Sequence, residues 1–197
     1  MANKKAFDET FLNALVQIVS SIGLENLRTK QIAEMTGFSE ATMFRLFPTK
    51  DDLLRESFLW VEQEFINKFE KLGKTKLSFQ EHSEEVLQIF LNEWYDYLSS
   101  EHEKTVFWMR IRYSSLYTKA LRDSLPKCPE TIRELFFGIF GEMTEQQAQA
   151  VYRNMIETTA FLVERSEKNQ MLSETMLKLL FELTIVFSEN VLREQNK

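Results

Sequence analysis

The sequence has 197 residues, of which 44% are hydrophobic and 27% are charged, and it contains only five glycines and three prolines. This length can bury a substantial core in one or two domains, and so few glycines and prolines predict long helices with few interruptions. A single cysteine, Cys128, excludes an internal disulfide but leaves a reactive thiol open. No signal peptide is visible and every apolar stretch is too short to span a bilayer, so we expect a cytoplasmic protein without a membrane segment.

The negative charge is unevenly distributed along the chain. The formal net charge is −6 at pH 7, and residues 1–60 contribute −1 of it, from seven basic and eight acidic side chains. Between residues 28 and 50 the sign reverses, because Arg28, Lys30, Arg45 and Lys50 outnumber two acidic residues. This stretch is the most favourable one for a polyanion, although an overall pI near 5.2 argues against strong nonspecific nucleic-acid binding.

The first predicted element is a helix from about Ala6 to Ser21, because apolar residues recur there at helical spacing as far as Gly23. Its apolar stripe is interpreted as core that supports the elements that follow. Lys4 and Lys5 precede it as a short basic arm, which either reaches phosphates or is a disordered terminus.

Two short helices joined by a glycine turn are predicted next. Thr29 is expected to cap a helix from Lys30 to Thr36, and Gly37 is expected to end it in the left-handed conformation. Ser39 then caps a second helix, from Glu40 to Phe47. Helices joined by so short a turn cross at a steep angle, which is the helix-turn-helix geometry that presents the second helix to the DNA major groove.

The second of these helices has distinct inward and outward faces. Met43 and Phe47 are four residues apart and therefore fall on one inward face. Glu40, Ala41, Thr42 and Arg45 are predicted to face outward.

The next helix is predicted to begin with a capping box formed by Thr49 and Asp52 and to run from Asp51 to about Leu72. Lys50 stands at its positive end, where free N–H groups and a cation together favour a phosphate. The alternative for Lys50 is a solvated side chain.

The remaining helices complete an all-α prediction. They are expected at about Ser78–Ser99, Glu103–Tyr117, Thr131–Phe140, Thr144–Lys168 and from Ser173 onward. Ser78 and Ser173 are predicted caps, and Thr144 with Gln147 is a predicted capping box. The last two carry more apolar surface than one packing partner needs, so two helices from each of two subunits are predicted to form a four-helix interface.

At this point the sequence resembles a known family. The stretch Phe11–Leu53 is similar to the N-terminal domain of the TetR family of bacterial transcriptional repressors, with about a dozen positions at matching spacing. The matching residues are Gly23-Leu24, Thr29, Ile32-Ala33, Gly37, Ser39, Thr42-Met43-Phe44, Phe47, Thr49-Lys50-Asp51 and Leu53.

The resemblance implies a two-domain, all-helical homodimer. Residues 1–50 would be the helix-turn-helix DNA-binding domain, and residues 51–197 would be the domain for effector binding and dimerisation. The implied function is repression at a palindromic double-stranded DNA operator, with release when an effector changes the tilt of the helix after Lys50.

The residues expected at the DNA follow from the outward face and from the family pattern. They are Thr29, Lys30, Ser39, Glu40, Ala41, Thr42, Phe44, Arg45 and Lys50. Hydroxyl groups there can donate to phosphates, and Arg45 suits a guanine or a phosphate. Glu40 either accepts a hydrogen bond from cytosine N4 or points aside at the start of the helix. Phe44 replaces the family's tyrosine and Leu46 its histidine, which predicts weaker anchoring to the DNA backbone.

The C-terminal part is rich in aromatic residues, which usually means core but also suits a pocket for a hydrophobic or aromatic effector. The candidate pocket residues are Phe90, Trp94, Phe107, Trp108, Tyr113, Phe137, Phe140, Tyr152 and Met155. Glu93 or Glu157 could pair with a cationic effector, and a solvated carboxylate is the alternative for each.

Two other function classes compete with this prediction. An enzyme is disfavoured, because His82 and His102 have no metal-ligand companions at helical spacing and no nucleophile or phosphate loop has a recognisable setting. We therefore expect no cofactor and no metal. The stronger rival is a helical sensor or protein-interaction module of the same fold that has weak or lost operator binding.

Overall fold

The structure is a computed structural model, and it describes residues 9–77, 84–165 and 174–193. These residues form α-helices and connecting turns, so the all-α prediction is confirmed. The helices are α1 (Glu9–Ile22), α2 (Thr29–Thr36), α3 (Glu40–Leu46), α4 (Lys50–Leu77), α5 (Glu84–Ser100), α6 (His102–Arg112), α7 (Lys119–Ser124), α8 (Glu130–Phe140), α9 (Glu145–Arg165) and α10 (Glu174–Arg193).

The chain divides into two compact units. The first comprises Met1–Gln63 and Glu103–Leu125, and the second comprises Glu64–His102 and Pro126–Lys197. Helix α4 contributes residues to both. The predicted division between residues 50 and 51 is a division of function, and it stays a prediction.

The first unit is held together by aromatic and aliphatic side chains from α1, α4 and α6. Phe11 and Leu15 of α1 are buried, because the amphipathic helix turns its apolar stripe inward. In α4, Phe58 stacks on Trp108 of α6 with 6.1 Å between the ring centroids. The indole Nε1–H of Trp108 donates to Glu62 Oε2 over 2.6 Å, which offsets part of the cost of burying that carboxylate.

The core of the second unit is centred on Phe69 of α4. Its ring meets Phe90, Trp94 and Tyr152 edge to face, with centroid distances of 4.7, 4.8 and 5.3 Å. Edge-to-face contacts add to the apolar area that these rings bury. Helices α4, α5 and α9 are therefore joined by one aromatic cluster.

Helix α4 is longer than predicted, and the expected end at Leu72 is wrong. The helix continues through Gly73 to Leu77. A Cβ atom at Gly73 would lie only 2.4 Å from Ile132 Cδ1, so this glycine allows α8 to approach α4 closely. Its role is in packing and not in ending the helix.

Another predicted helix end differs from the one that the structure shows. The helix expected to reach Tyr117 ends at Arg112. Helix α7, which was not predicted from the sequence, follows with Thr118 as its cap. The predicted capping box of Thr144 and Gln147 is confirmed, since Thr144 N–H donates to Gln147 Oε1 over 2.7 Å and Gln147 N–H donates to Thr144 Oγ1 over 3.2 Å.

Several sequence predictions fall on residues outside the described ranges. These are the basic arm at Lys4 and Lys5, the caps at Ser78 and Ser173, and the residue His82. Within the described residues, none of the helices combines the length and the apolar character needed to cross a bilayer.

Cys128 is buried, and its backbone N–H donates to Gln149 Oε1 over 2.6 Å. Burial raises the pKa of its thiol to about 12, despite the opposing charges of Arg133 and Arg153. A thiol that stays protonated is a poor nucleophile, so the question that the sequence left open is answered in favour of a structural cysteine.

The close approach at Gly73 can be tested by a double-mutant cycle with Ile132. We expect Gly73→Ala to lower the free energy of unfolding, because an overlap worth about 1–3 kcal/mol outweighs the roughly 1 kcal/mol that alanine gains over glycine in a helix. Ile132→Val removes Cδ1 and should cost less in the Gly73→Ala background than in the wild type. Urea unfolding of the four proteins gives the coupling, and strictly additive costs would contradict the packing argument.

Cys128 should resist thiol reagents in the folded protein. With a pKa near 12, its thiolate fraction at pH 8 is roughly a thousandfold below that of a free cysteine. A colorimetric disulfide reagent should therefore label the native protein slowly, with a rate that is still rising at pH 10, and should label one thiol per chain rapidly in urea. Fast labelling of the native protein at pH 8 would contradict the burial.

Candidate nucleic-acid interface

The helix-turn-helix consists of α2, the turn at residues 37–39 and α3. Arg28 is the N-cap residue of α2 and Thr29 is its first helical residue, so the prediction that Thr29 caps the helix is wrong. The backbone N–H of Arg28 donates to Gln31 Oε1 over 2.8 Å. Gln31, three residues beyond the N-cap, thus satisfies the backbone N–H of the N-cap residue itself, as the glutamine of a capping box does.

The turn has the predicted glycine geometry. Gly37 has φ 73° and ψ 4°, and its N–H donates to Ala33 O over 2.9 Å, which closes α2. Phe38 then packs edge to face on Phe11 of α1, with 5.5 Å between centroids. Because this ring contact ties the turn to α1, it fixes the point at which α3 begins.

Helix α3 is capped as predicted and ends one residue earlier. The Thr42 N–H donates to Ser39 Oγ over 3.2 Å, and the two hydroxyl oxygens lie 2.9 Å apart. Leu46 is the last helical residue and Phe47 is the C-cap. Met43 and Phe47 are both buried, which confirms the predicted inward face.

The outward face of α3 is open to solvent. Glu40, Ala41 and Arg45 are exposed, and Phe44 exposes 41% of its surface. Thr42 is half-buried. A face that combines a small residue, an aromatic ring and a guanidinium can enter a groove and contact base edges.

The structure brings together two candidates that are eleven residues apart in sequence. The hydroxyl of Thr29, at the start of α2, donates to Glu40 Oε2, at the start of α3. The carboxylate is thereby oriented by the preceding helix of the motif. Nothing in helical periodicity indicated this contact, because it depends on the angle at which α2 and α3 cross.

Lys50 lies at the beginning of α4 and is neither fully solvated nor buried. Its ammonium donates to Leu27 O over 3.2 Å, which ties α4 to the loop before α2. The predicted capping box next to it is confirmed, since Thr49 N–H donates to Asp52 Oδ2 over 3.2 Å and Asp52 N–H donates to Thr49 Oγ1 over 3.1 Å. An ammonium has three donors, so the bond to Leu27 leaves others for a phosphate.

Two basic residues flank the start of α2. Lys30 forms an exposed ion pair with Glu34 over 3.7 Å, which is too solvated to hold the lysine firmly. Arg28 is exposed at the N-cap, and sequence reasoning counted its charge without selecting it as a site residue. Its position immediately before the helix was the signal that could have identified it.

The candidate effector residues are divided between the two units. Phe107 and Trp108 are buried in the first unit, where Tyr113 is exposed. The other six belong to the second unit, in which Phe90, Trp94, Tyr152 and Met155 are buried, Phe137 is exposed and Phe140 is half-buried.

Within the second unit, Phe137 and Phe140 line a surface cavity of about 620 Å³ together with Met143 and Leu192. The four buried residues instead pack in the core around Phe69 and on α9. A pocket formed by the full set of nine stays a prediction.

These features define a helix-turn-helix DNA-binding domain, with an exposed second helix supported by α1 and α4. Residues 11–57 match the model of the bacterial regulatory proteins of the tetR family. Over these residues the chain is therefore similar to the DNA-binding domain of that family.

Solved structures share the fold over nearly the whole chain. A TetR-family regulator from Mesorhizobium loti MAFF303099 is 15% identical with a TM-score of 0.66, over 97% of this chain and 98% of that one. The multidrug binding protein EbrR, complexed with imidazole, is 14% identical with a TM-score of 0.64, over 94% and 90%. A regulator from Marinobacter aquaeolei VT8 is 17% identical with a TM-score of 0.63, over 90% and 93%. A comparison with curated proteins finds no significant match.

Proposed function

We propose that this protein is a transcriptional repressor that binds a palindromic operator as a homodimer in the cytoplasm and leaves it when a small hydrophobic or aromatic effector binds. The observation that carries the proposal is the exposed outward face of α3, where Ala41, Phe44 and Arg45 are accessible on a helix held at both ends. Lys50 supports it from the start of α4, where a bond to Leu27 O orients the ammonium.

Phosphate contacts would position this face on the duplex. Ser39 and Thr42 offer hydroxyl groups at the start of α3, and Arg28 and Lys30 offer charge at the start of α2. Such contacts set register and orientation without reading sequence. Base reading then falls to the exposed side chains of α3, since a helix of this kind enters the major groove.

Dimerisation is supported by an unusual division of faces on α10. Its exposed side carries Leu179, Leu183 and Val186, with 50%, 50% and 55% of their surfaces accessible. Its inward side buries Thr184 and Ser188, whose hydroxyl groups each donate to the carbonyl four residues earlier. A helix that buries hydroxyl groups and exposes leucines needs a further apolar partner.

A second copy of the chain is the partner that the proposal requires. Two recognition helices related by a two-fold axis read two half-sites of a palindrome, whereas one helix contacts only a few base pairs. Helices α9 and α10 pack antiparallel, and Gln147 Nε2–H near the start of α9 donates to Val191 O near the end of α10 over 3.1 Å. This pair from each subunit would form a four-helix interface.

The effector is proposed to act through α4, which contributes residues to both compact units. A hydrophobic or aromatic compound suits the aromatic residues of the second unit, and the similar fold of a protein described as multidrug binding supports that class. Coupling between two sites is reciprocal, so operator DNA must weaken effector binding by the same factor by which the effector weakens operator binding.

Operator binding can be tested by selecting duplexes from a random library at two salt concentrations. We expect an enriched palindrome whose binding weakens with salt, because phosphate contacts release counterions. Thr42→Ala with Lys50→Ala should abolish enrichment, and Lys30→Ala, which removes only an exposed charge, should reduce the salt slope by about 1. Lys178→Ala, an exposed lysine of α10, is the matched control.

If the wild type enriches no sequence at low salt, the proposed repressor function is rejected. It would favour the alternative function, a helical sensor or interaction module of this fold, which the net charge of −6 and the residues Phe44 and Leu46 already favour in part.

The dimer interface can be tested at Leu183. We expect the wild type to sediment as a dimer at micromolar concentration, and Leu183→Glu to sediment near the monomer mass of 23.4 kDa with its helical content retained. Met35→Glu changes an equally exposed apolar residue in the other unit and should leave the dimer intact. A wild-type monomer, or a Leu183→Glu dimer of unchanged affinity, would contradict this use of α10.

A further inference from the structure

Glu40 is an unexpected residue for a surface that meets DNA. It is exposed at the first position of α3, where its charge suits the positive end of the helix dipole. Phosphates repel the same charge when α3 approaches the duplex. A carboxylate in this position therefore weakens binding at every sequence unless the DNA supplies a donor that offsets the repulsion.

The hydrogen bond from Thr29 gives this carboxylate a defined orientation. Thr29 Oγ1–H donates to Glu40 Oε2, and Thr29 is itself half-buried in the first turn of α2. A carboxylate accepts about four hydrogen bonds, so the contact leaves Oε1 and part of Oε2 available. The side chain is thus held in place and still able to accept.

Only one base presents a suitable donor without a competing acceptor in the major groove. Cytosine presents its N4 amino group, whereas adenine pairs a donor with the N7 acceptor, and guanine and thymine present acceptors. A fixed acceptor-only group favours cytosine and is repelled by guanine and thymine. Glutamine in the same place would favour adenine, because its amide both donates and accepts.

We propose that Glu40 reads a cytosine in each operator half-site by accepting from its N4 amino group, and that Thr29 is the positioning residue that orients the carboxylate. The proposal rests on the proposed operator binding and assigns one base of the operator. It also gives Thr29 a role different from the one first expected, since its hydroxyl serves a side chain of α3 and not a phosphate.

The test is selection from a random duplex library with full-length wild type, Glu40→Gln, Glu40→Ala and Thr29→Val. The wild type should enrich a palindrome with one invariant C·G pair per half-site that Glu40→Gln changes to A·T at the same position. Glu40→Ala should lose the preference at that position alone and should bind random DNA more tightly at low salt, because the repulsion is gone. Thr29→Val should still prefer cytosine at that position but discriminate against the other bases about tenfold less or worse. Thr29→Ser, which keeps the hydroxyl group, should discriminate as the wild type does.

Glu34→Gln is the matched control, because it removes an exposed acid of α2 that pairs with Lys30, whereas the hydroxyl of Thr29 donates to Glu40. It should leave the selected sequence unchanged. Thermal unfolding of each variant should establish that it is folded at the selection temperature.

The outcomes separate this proposal from the one on which it rests. If Glu40→Gln and Glu40→Ala select the same palindrome as the wild type, the reading of cytosine by Glu40 is rejected, while the proposed repressor function is unaffected. Equal discrimination by Thr29→Val and the wild type would overturn the positioning role. If the wild type enriches no palindrome, both the proposed repressor function and the proposed role of Glu40 are rejected.

Discussion

The exposed face of α3 depends on the burial of two side chains behind it. Helices of eight and seven residues are too short to be stable in water by themselves, so α2 and α3 exist because Ile32 and Met43 are buried in the first unit. The contact of Phe38 with Phe11 and the bond from Lys50 to Leu27 O then fix the ends of the motif. Every proposed contact with DNA presupposes this packing.

In the second unit, aromatic side chains form a core that joins several helices. Its aromatic residues are used mainly to join α4, α5 and α9 around Phe69, and Gly73 is used to bring α8 close to α4. Apolar side chains remain exposed on α10 although hydroxyl groups are buried on its other side. Such an arrangement is stable when another apolar surface covers the leucines, which is why the dimer forms part of the proposed function.

The charge of the helix-turn-helix differs in sign from the net charge of the whole chain. A net charge of −6 would repel DNA if it were spread evenly, but the stretch that forms the helix-turn-helix has the opposite sign. Within that stretch, Glu40 adds a repulsion that a matching base can offset. Under the proposal for Glu40, such an acidic residue lowers affinity for sequences that lack the matching cytosine and so raises discrimination among sequences.

The sequence by itself determined the order of the helices except α7, the glycine turn, the caps at Ser39, Thr49 and Thr144 and the inward face of α3. These are local properties, set by periodicity, by backbone conformation and by side chains three or four residues apart. It misplaced the cap of α2 by one residue, because Arg28 is the N-cap and Gln31 accepts from its N–H. It ended α4 too early, because Gly73 serves the close approach of Ile132 and does not end the helix. Only the tertiary structure decided that Thr29 donates to Glu40, that Lys50 donates to Leu27 O and that α10 exposes its leucines, since each depends on how helices far apart in sequence pack against one another.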